Sequence, residues 1–242
     1  MLDDAFVPFL EEGLITGVIR PVRSGKEASV YLCSAGPSTG RRFLAVKAYR
    51  GRQHRNFRNQ AAYKEGRAFS GKEHREQRAL ERHTRFGREL DDAMWVGREA
   101  AALRTMAEAG ADVPRVWAAS EEAIVLDYLG DEDRPAPQLV HADLPREDAR
   151  GVFDRLLWNV ERFLLHDLVH ADLSAFNVLW WEGRATIIDL PQAVDARTNP
   201  HAPDLLVRDL TNLAKHFARY GVEADPDALA QDLWVRYEFA ML

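Results

Sequence analysis

The stretch LVHADLSAFNVL, Leu168 to Leu179, sets His170, Asp172 and Asn177 in a polar island between apolar runs, and ATIIDLPQAV, Ala185 to Val194, puts Asp189 at the end of a further apolar run. Carboxylate and amide oxygens are hard ligands suited to Mg²⁺ with phosphate, and a carboxylate left off the metal can accept the proton of a reacting hydroxyl. Asn177 follows Asp172 by five positions and Asp189 follows Asn177 by twelve. A hairpin between them would return Asp189 beside Asn177. The same spacing also arises where polar side chains only cap a loop, so context decides.

Lys47 stands in the middle of the apolar, strand-like run FLAVKAY. It is either a lysine on the solvent face of an edge strand or a buried ammonium, which is expensive unless a carboxylate pairs with it. Glu99 fits the second case. It follows Trp95 by one helical turn, on the face that also carries Leu103 and Met106, so a helix here points it toward a sheet. Ser24, Gly25 and Lys26 fall at the bend of a strand–turn–strand pattern, where backbone N–H groups and a cation can meet phosphate oxygens. An S-G-K sequence is also an ordinary turn.

A sheet and a helical half are needed to position these groups. Asp3 to Glu12 reads as a short amphipathic helix ended by Gly13, and Gly17 to Val22, Ala28 to Ser34 and Arg42 to Tyr49 read as three strands of an antiparallel meander. The helix through Trp95 and Glu99 ends at Gly110, and Arg115 to Ala119 and Ala123 to Tyr128 supply two more strands. Phe153, Leu156, Leu157, Val160, Phe163 and Leu164 mark one face of a long helix that runs into the polar loop. Asn177 to Trp181 and Ala185 to Asp189 make a hairpin turning at EGR, and helices around Leu205 to Tyr220 and Asp227 to Phe239 follow. The expected fold is α+β and bilobal: an N-lobe over 1–126 with an antiparallel sheet and one main helix, a hinge over 127–139, and a reduced, mainly helical C-lobe over 140–242.

With 242 residues, 46% of them hydrophobic, the chain can fill a sizeable core. Its start, MLDDAFVPFL, carries Asp3 and Asp4 where a secretory signal would carry basic residues, and no apolar run approaches a bilayer span. A cytoplasmic protein without a membrane partner is expected. The single cysteine, Cys33, excludes an intramolecular disulfide and reads as a small buried hydrophobe. The net charge of −6 is unevenly spread: Arg50 to Leu90 holds twelve basic residues against five acids, a local +7, which leaves −13 for the rest. That segment reads either as a solvated arginine-rich helix pair or as an RNA contact.

The order of glycine turn, lysine strand, helix glutamate, H-x-D-x-x-x-x-N loop and aspartate resembles that of the protein-kinase fold. More closely, SGKEASVY, AVKAY, LVHADLSAFNVL and IIDLPQAV, followed by NPHAPDLLVRDL, are similar to the signatures of the RIO family of atypical serine/threonine kinases, in the short form without an N-terminal winged helix. The resemblance implies ATP and Mg²⁺ as cofactors, with Mn²⁺ as a substitute. It implies Asp172 as catalytic carboxylate, Asn177 and Asp189 as metal ligands, and Lys47 on the α- and β-phosphates, fixed by Glu99. Ser24, Gly25 and Lys26 would lie over the phosphates, and the Asp127 carbonyl and Leu129 amide would meet adenine. In the family the aspartate at the position of Asp189 is also implicated in accepting phosphate, which implies ATPase turnover as a second outcome beside serine/threonine transfer. The basic segment, 50–90, corresponds to a loop often phosphorylated in the family, here with Ser70 and Thr84. It implies a contact with ribosomal RNA or a small-subunit precursor, while the protein substrate stays open.

There are departures. Gly25 stands alone where ordinary kinases have three glycines, and Pro191 stands where a small residue is usual, so the segment after Asp189 is expected to be stiff. Only 53 residues follow Asp189, so peptide recognition is expected to be built differently from that of ordinary kinases or to be absent. Two other readings share parts of the pattern. A small-molecule phosphotransferase of the aminoglycoside or choline kinase type has the same loop and metal aspartate but a longer helical half. A catalytically dead, nucleotide-gated assembly factor is disfavoured by intact Lys47, Asp172, Asn177 and Asp189.

Overall fold

The computed structural model describes residues 4–50 and 85–242, with side chains in the second stretch from Trp95 onward. Most of the basic segment, with Ser70 and Thr84, lies outside the described residues. The first half is built on β1 (Ile15–Ser24), β2 (Ala28–Ala35), β3 (Phe43–Tyr49), β4 (Val116–Ala119) and β5 (Ala123–Asp127). All pairs are antiparallel, in the order β1-β2-β3-β5-β4. The meander expected from short links is β1 to β3. Pro21 is tolerated because β1 is an edge strand, where a missing N–H costs no ladder bond.

β3 is central. Lys47 pairs across from Val30 on one side and Ile124 on the other, which settles that it does not lie on an edge strand. Alternation then divides the strand: Leu44, Val46 and Ala48 join Phe6, Phe9, Ile15 and Cys33 in a core on one face, closed by a 3₁₀ turn (Asp4–Phe6) and α1 (Val7–Glu11). Lys47 faces the opposite side. Gly36 is required by close packing, since a Cβ there would lie 1.8 Å from the Gly13 carbonyl oxygen.

α2 (Arg85–Glu108) carries Glu99 and is followed by Gly110 at φ +77°. It begins ten residues before Trp95, where the apolar period starts, because helical backbone does not need an apolar face along its whole length.

The second half contains α3 (Ala149–Leu165), β6 (Leu168–Val169), β7 (Val178–Trp181), β8 (Arg184–Ile187), β9 (Val194–Asp195), α4 (Ala202–Ala218) and α5 (Pro226–Glu238). β7 and β8 form the expected hairpin, and β6 pairs with β9, a two-residue ladder too short to carry any period. Leu157 is only half-buried, and Asn159 takes a fully buried place on that face of α3. Its amide is satisfied: Asp112 N–H donates to Asn159 Oδ1 at 2.7 Å, and Asn159 Nδ2 donates to Asp112 Oδ2 at 2.7 Å.

The described chain gathers into two compact units. One takes the sheet, α2 as far as Arg104, and Pro114–Pro135; the other takes Thr105–Val113 and Ala136–Leu242. Among the described residues no helix is long and apolar enough to cross a membrane.

Candidate active site

In the first unit, Lys47 Nζ donates to Glu99 Oε1 at 2.7 Å and to Oε2 at 3.0 Å, and the Tyr49 hydroxyl also donates to Oε2. The Lys47 side chain is 12% exposed and that of Glu99 1%. Two charges so far from water hold together only because each finds the other at hydrogen-bonding distance. The Tyr49 ring lies 5.2 Å from the ammonium and adds a favourable π face.

The turn between β1 and β2 places Ser24, Gly25 and Lys26 on the surface. Gly25 N–H donates to the Ala28 carbonyl at 2.9 Å, so this amide closes the turn itself and is not directed at a ligand. Ser24 Oγ lies 3.4 Å from Ser29 Oγ and accepts from Arg50. At the far end of the sheet, Asp127 ends β5 opposite Leu44, and its carboxylate accepts from Trp117 Nε1 at 2.9 Å, with Arg41 Nε at 3.5 Å. The Asp127 side chain is therefore held against the sheet, and Leu129 follows just past the last ladder residue.

In the second unit, the loop after β6 is shaped by α4. Asp209 accepts from Ala171 N–H at 2.7 Å and from Leu173 N–H at 2.8 Å, Arg208 Nη2 donates to the Ala171 carbonyl, and Asn212 Nδ2 donates to the Leu173 carbonyl at 3.1 Å. Every peptide group of the two residues flanking Asp172 is bonded to an α4 side chain. That support holds Ala171 at φ +66°, a left-handed conformation costing a non-glycine residue roughly 1–3 kcal/mol.

Asp172 itself is open to solvent. Asn177 Nδ2 donates to its carbonyl at 2.8 Å and to its Oδ2 at 3.1 Å, a pairing that uses neither Oδ1 of Asp172 nor the amide oxygen of Asn177. Desolvation by the surrounding protein raises the Asp172 carboxyl above its ordinary range, against the pull of Arg208 and Asn177, while nearby Asp189 raises it further.

His170 joins this loop to the next segment. Its Nδ1 accepts from Asp172 N–H at 3.3 Å, and its Nε2 lies 3.2 Å from the Ile188 carbonyl, the geometry of a neutral ring with the proton on Nε2. Burial pushes its pKa down, in keeping with that state. Ile188 N–H donates to the Asn177 carbonyl at 2.9 Å, so the hairpin does return the chain to Asn177, with Asp189 next at φ +69°.

A carboxylate at Asp189 and an amide oxygen at Asn177 are the hard donors Mg²⁺ takes alongside phosphate and water. Among the described residues no cluster of three or more His, Cys, Asp or Glu could cage a metal alone. The residues present fit Mg²⁺ shared with a phosphate-bearing ligand.

Asp209 and its neighbours are the supports that motif reading passed over. NPHAPDLLVRDL carries a signal all the same: Leu205, Asp209 and Leu213 recur every four residues, so Asp209 lies on the buried stripe of α4, 1% exposed, as Glu99 does on α2.

Comparison with known proteins places this architecture. The family model described as the RIO domain matches residues 29–229. The chain belongs to the RIO family. It is 30% identical over 227 residues to the RIO-type serine/threonine-protein kinase Rio1 of Haloferax volcanii, covering 93% of this chain and 71% of that protein. It is 31% identical over 214 residues to serine/threonine-protein kinase RIO1 of Caenorhabditis elegans, covering 88% of this chain but 39% of that protein's length. The crystal structure of a Rio2 kinase–ADP/Mg²⁺–phosphoaspartate complex from Chaetomium thermophilum matches with a TM-score of 0.69 at 22% identity, covering 95% of this chain and 64% of the other. That likeness establishes the kinase-like α+β fold.

Proposed function

We propose that this RIO-family protein is a cytoplasmic, ATP- and Mg²⁺-dependent phosphotransferase acting on serine or threonine, in itself or in another protein. The observation that carries the reading is Asp172: a solvent-open carboxylate whose flanking peptide groups are all fixed and whose Oδ2, not Oδ1, is engaged by Asn177. Such a group orients an attacking hydroxyl and takes its proton. Lys47 would bring its ammonium to the α- and β-phosphate oxygens, with Glu99 and Tyr49 holding it in one place. Asn177 and Asp189 would hold Mg²⁺, which when bound neutralises charge building on the phosphate oxygens. Ser24 and Lys26 would lie over the phosphates, and the backbone at Asp127 and Leu129 would meet adenine.

Asp172→Asn keeps size and hydrogen bonding but removes the base. It is expected to bind Mg·ATP nearly as wild type while losing serine autophosphorylation by about 10²- to 10⁴-fold, and Asp189→Asn is expected to lose binding and transfer together. Acid-stable radiolabel persisting on Asp172→Asn would show that Asp172 is not the base. The phosphoaspartate in the Chaetomium thermophilum complex favours a second reading, in which the product is an acyl phosphate at Asp189 and the protein works as an ATPase. Hydroxylamine distinguishes the two, since it removes an acyl phosphate and leaves phosphoserine intact.

The basic segment would serve as a contact for ribosomal RNA or a small-subunit precursor. Replacing Arg52, Arg55 and Arg58 together is then expected to weaken RNA association and flatten its salt dependence. A wild-type protein with no association at low salt would leave only the solvated-segment reading.

A further inference from the structure

Arg50, just past the end of β3, reaches across to the phosphate-side turn. Its Nη2 lies 2.5 Å from Ser24 Oγ and 3.1 Å from Ser29 Oγ, and the two hydroxyl oxygens are 3.4 Å apart. Ser24 and Ser29 are register partners on β1 and β2. The backbone around them is also tied, with Arg50 N–H donating to the Glu27 carbonyl at 2.8 Å and Gly25 N–H to the Ala28 carbonyl at 2.9 Å. Residue types alone gave no reason to separate Arg50 from the eleven other cations of its segment.

A guanidinium can only donate. Each serine oxygen that accepts from Arg50 commits a lone pair and must direct its own proton elsewhere. Ser24 Oγ and Ser29 Oγ lie 3.4 Å apart and either can donate to the other; with buried Ser29 as the donor, Ser24 accepts twice and the proton of this exposed residue is left for a ligand. Chained donors of this kind polarise one another. A Ser24 O–H released in this way stands two residues from Lys26 in the same turn, a pair of donors that suits a phosphate oxygen.

We propose that Arg50 is a positioning residue for the nucleotide phosphates, orienting the Ser24 hydroxyl and holding the β1–β2 turn in the shape that lays Ser24 and Lys26 over them. This rests on the ATP-dependent reading above.

Calorimetry with Mg·ATP and with adenosine separates this role from a merely structural one. Arg50→Ala is expected to weaken Mg·ATP binding about tenfold, the scale of one charge-assisted hydrogen bond, while adenosine affinity changes by less than about twofold. The KM for ATP rises accordingly, with kcat changing less. Arg50→Lys recovers part of the loss, because an ammonium keeps the charge but not the fork that reaches both hydroxyls. Ser24→Ala combined with Arg50→Ala loses less than the sum of the two single losses, since Arg50 acts in part through Ser24. Equal losses for adenosine and Mg·ATP, unchanged Mg·ATP affinity, or additive losses in the double variant each overturn the proposal. A wild-type protein that binds neither ligand overturns the ATP-dependent reading as well, whereas one that binds Mg·ATP and is indifferent to Arg50→Ala overturns this proposal alone.

Discussion

Glu99 and Asp209 are each 1% exposed and each lies on the buried stripe of a helix, yet they are satisfied in opposite ways. Glu99 meets a cation, with Lys47 Nζ at 2.7 and 3.0 Å. Asp209 meets backbone, with Ala171 N–H at 2.7 Å and Leu173 N–H at 2.8 Å. A carboxylate facing an ammonium fixes one charged atom; a carboxylate facing two peptide groups fixes the path of a chain. Each unit uses the device its local structure lacks. Lys47 projects from a central strand already held by ladders on both sides, so only the tip of its side chain needs a partner. The loop around Asp172 has no ladder, and α4 supplies side chains in place of one.

The sharpest way to break this comparison is to remove the carboxylate that faces a charge. Glu99→Ala leaves the Lys47 ammonium buried without its main partner, at an expected cost of about 3–5 kcal/mol in stability. Lys47→Met combined with Glu99→Leu replaces both charges by apolar groups and is expected to recover much of that loss, because neither ion is stranded. Urea unfolding midpoints of the singles Lys47→Met and Glu99→Leu and of their double variant measure this. If the double variant costs the sum of the singles, the pair is not what compensates either charge. Both singles are also expected to lower phosphoryl transfer, since one removes the ammonium and the other leaves it without the partner that fixes its position for the phosphates.

What could be read from sequence follows the same division. Lys47 and Glu99 stand out because a charged residue on an apolar period is an anomaly visible within one segment, and the polar island of HADLSAFN is visible for the same reason. Asp209 breaks an apolar period just as plainly, but its partners lie 36 and 38 positions away, and only the fold reveals that they are peptide groups flanking Asp172. Asn159, on the buried face of α3, has its partner Asp112 47 positions away. The β6–β9 ladder carries too little period to be read, and the first residues of α2 are legible only as part of an arginine-rich, solvated helical reading and not from an apolar period. Sequence thus exposed the residues that would face ligand, and left unread those that hold the backbone behind them.

A subtler test sharpens the other half of the comparison through pH. Burial pushes the Asp209 carboxyl up to about 8, against the pull of its two backbone donors. In the unfolded chain an aspartate ionises near about 3.9. The fold therefore favours the protonated form, and the resulting stability is fully present below about pH 4 and is lost as pH rises toward 8. Asp209→Asn cannot titrate and turns an N–H donor toward one of the two peptide groups, at an expected cost of about 1–3 kcal/mol. His216, pushed down to about 4 by burial, contributes the opposite slope, with stability gained as pH rises from 4 toward its unfolded value. That contribution is common to both proteins and cancels in their difference. The gap in stability between wild type and Asp209→Asn is therefore expected to be widest at about pH 4 and to narrow steadily toward pH 8, read from denaturant midpoints at each pH. A gap that widens toward pH 8 would mean that the two peptide donors outweigh burial and keep Asp209 ionised, which would make it a charged anchor like Glu99 and erase the distinction between the two sites.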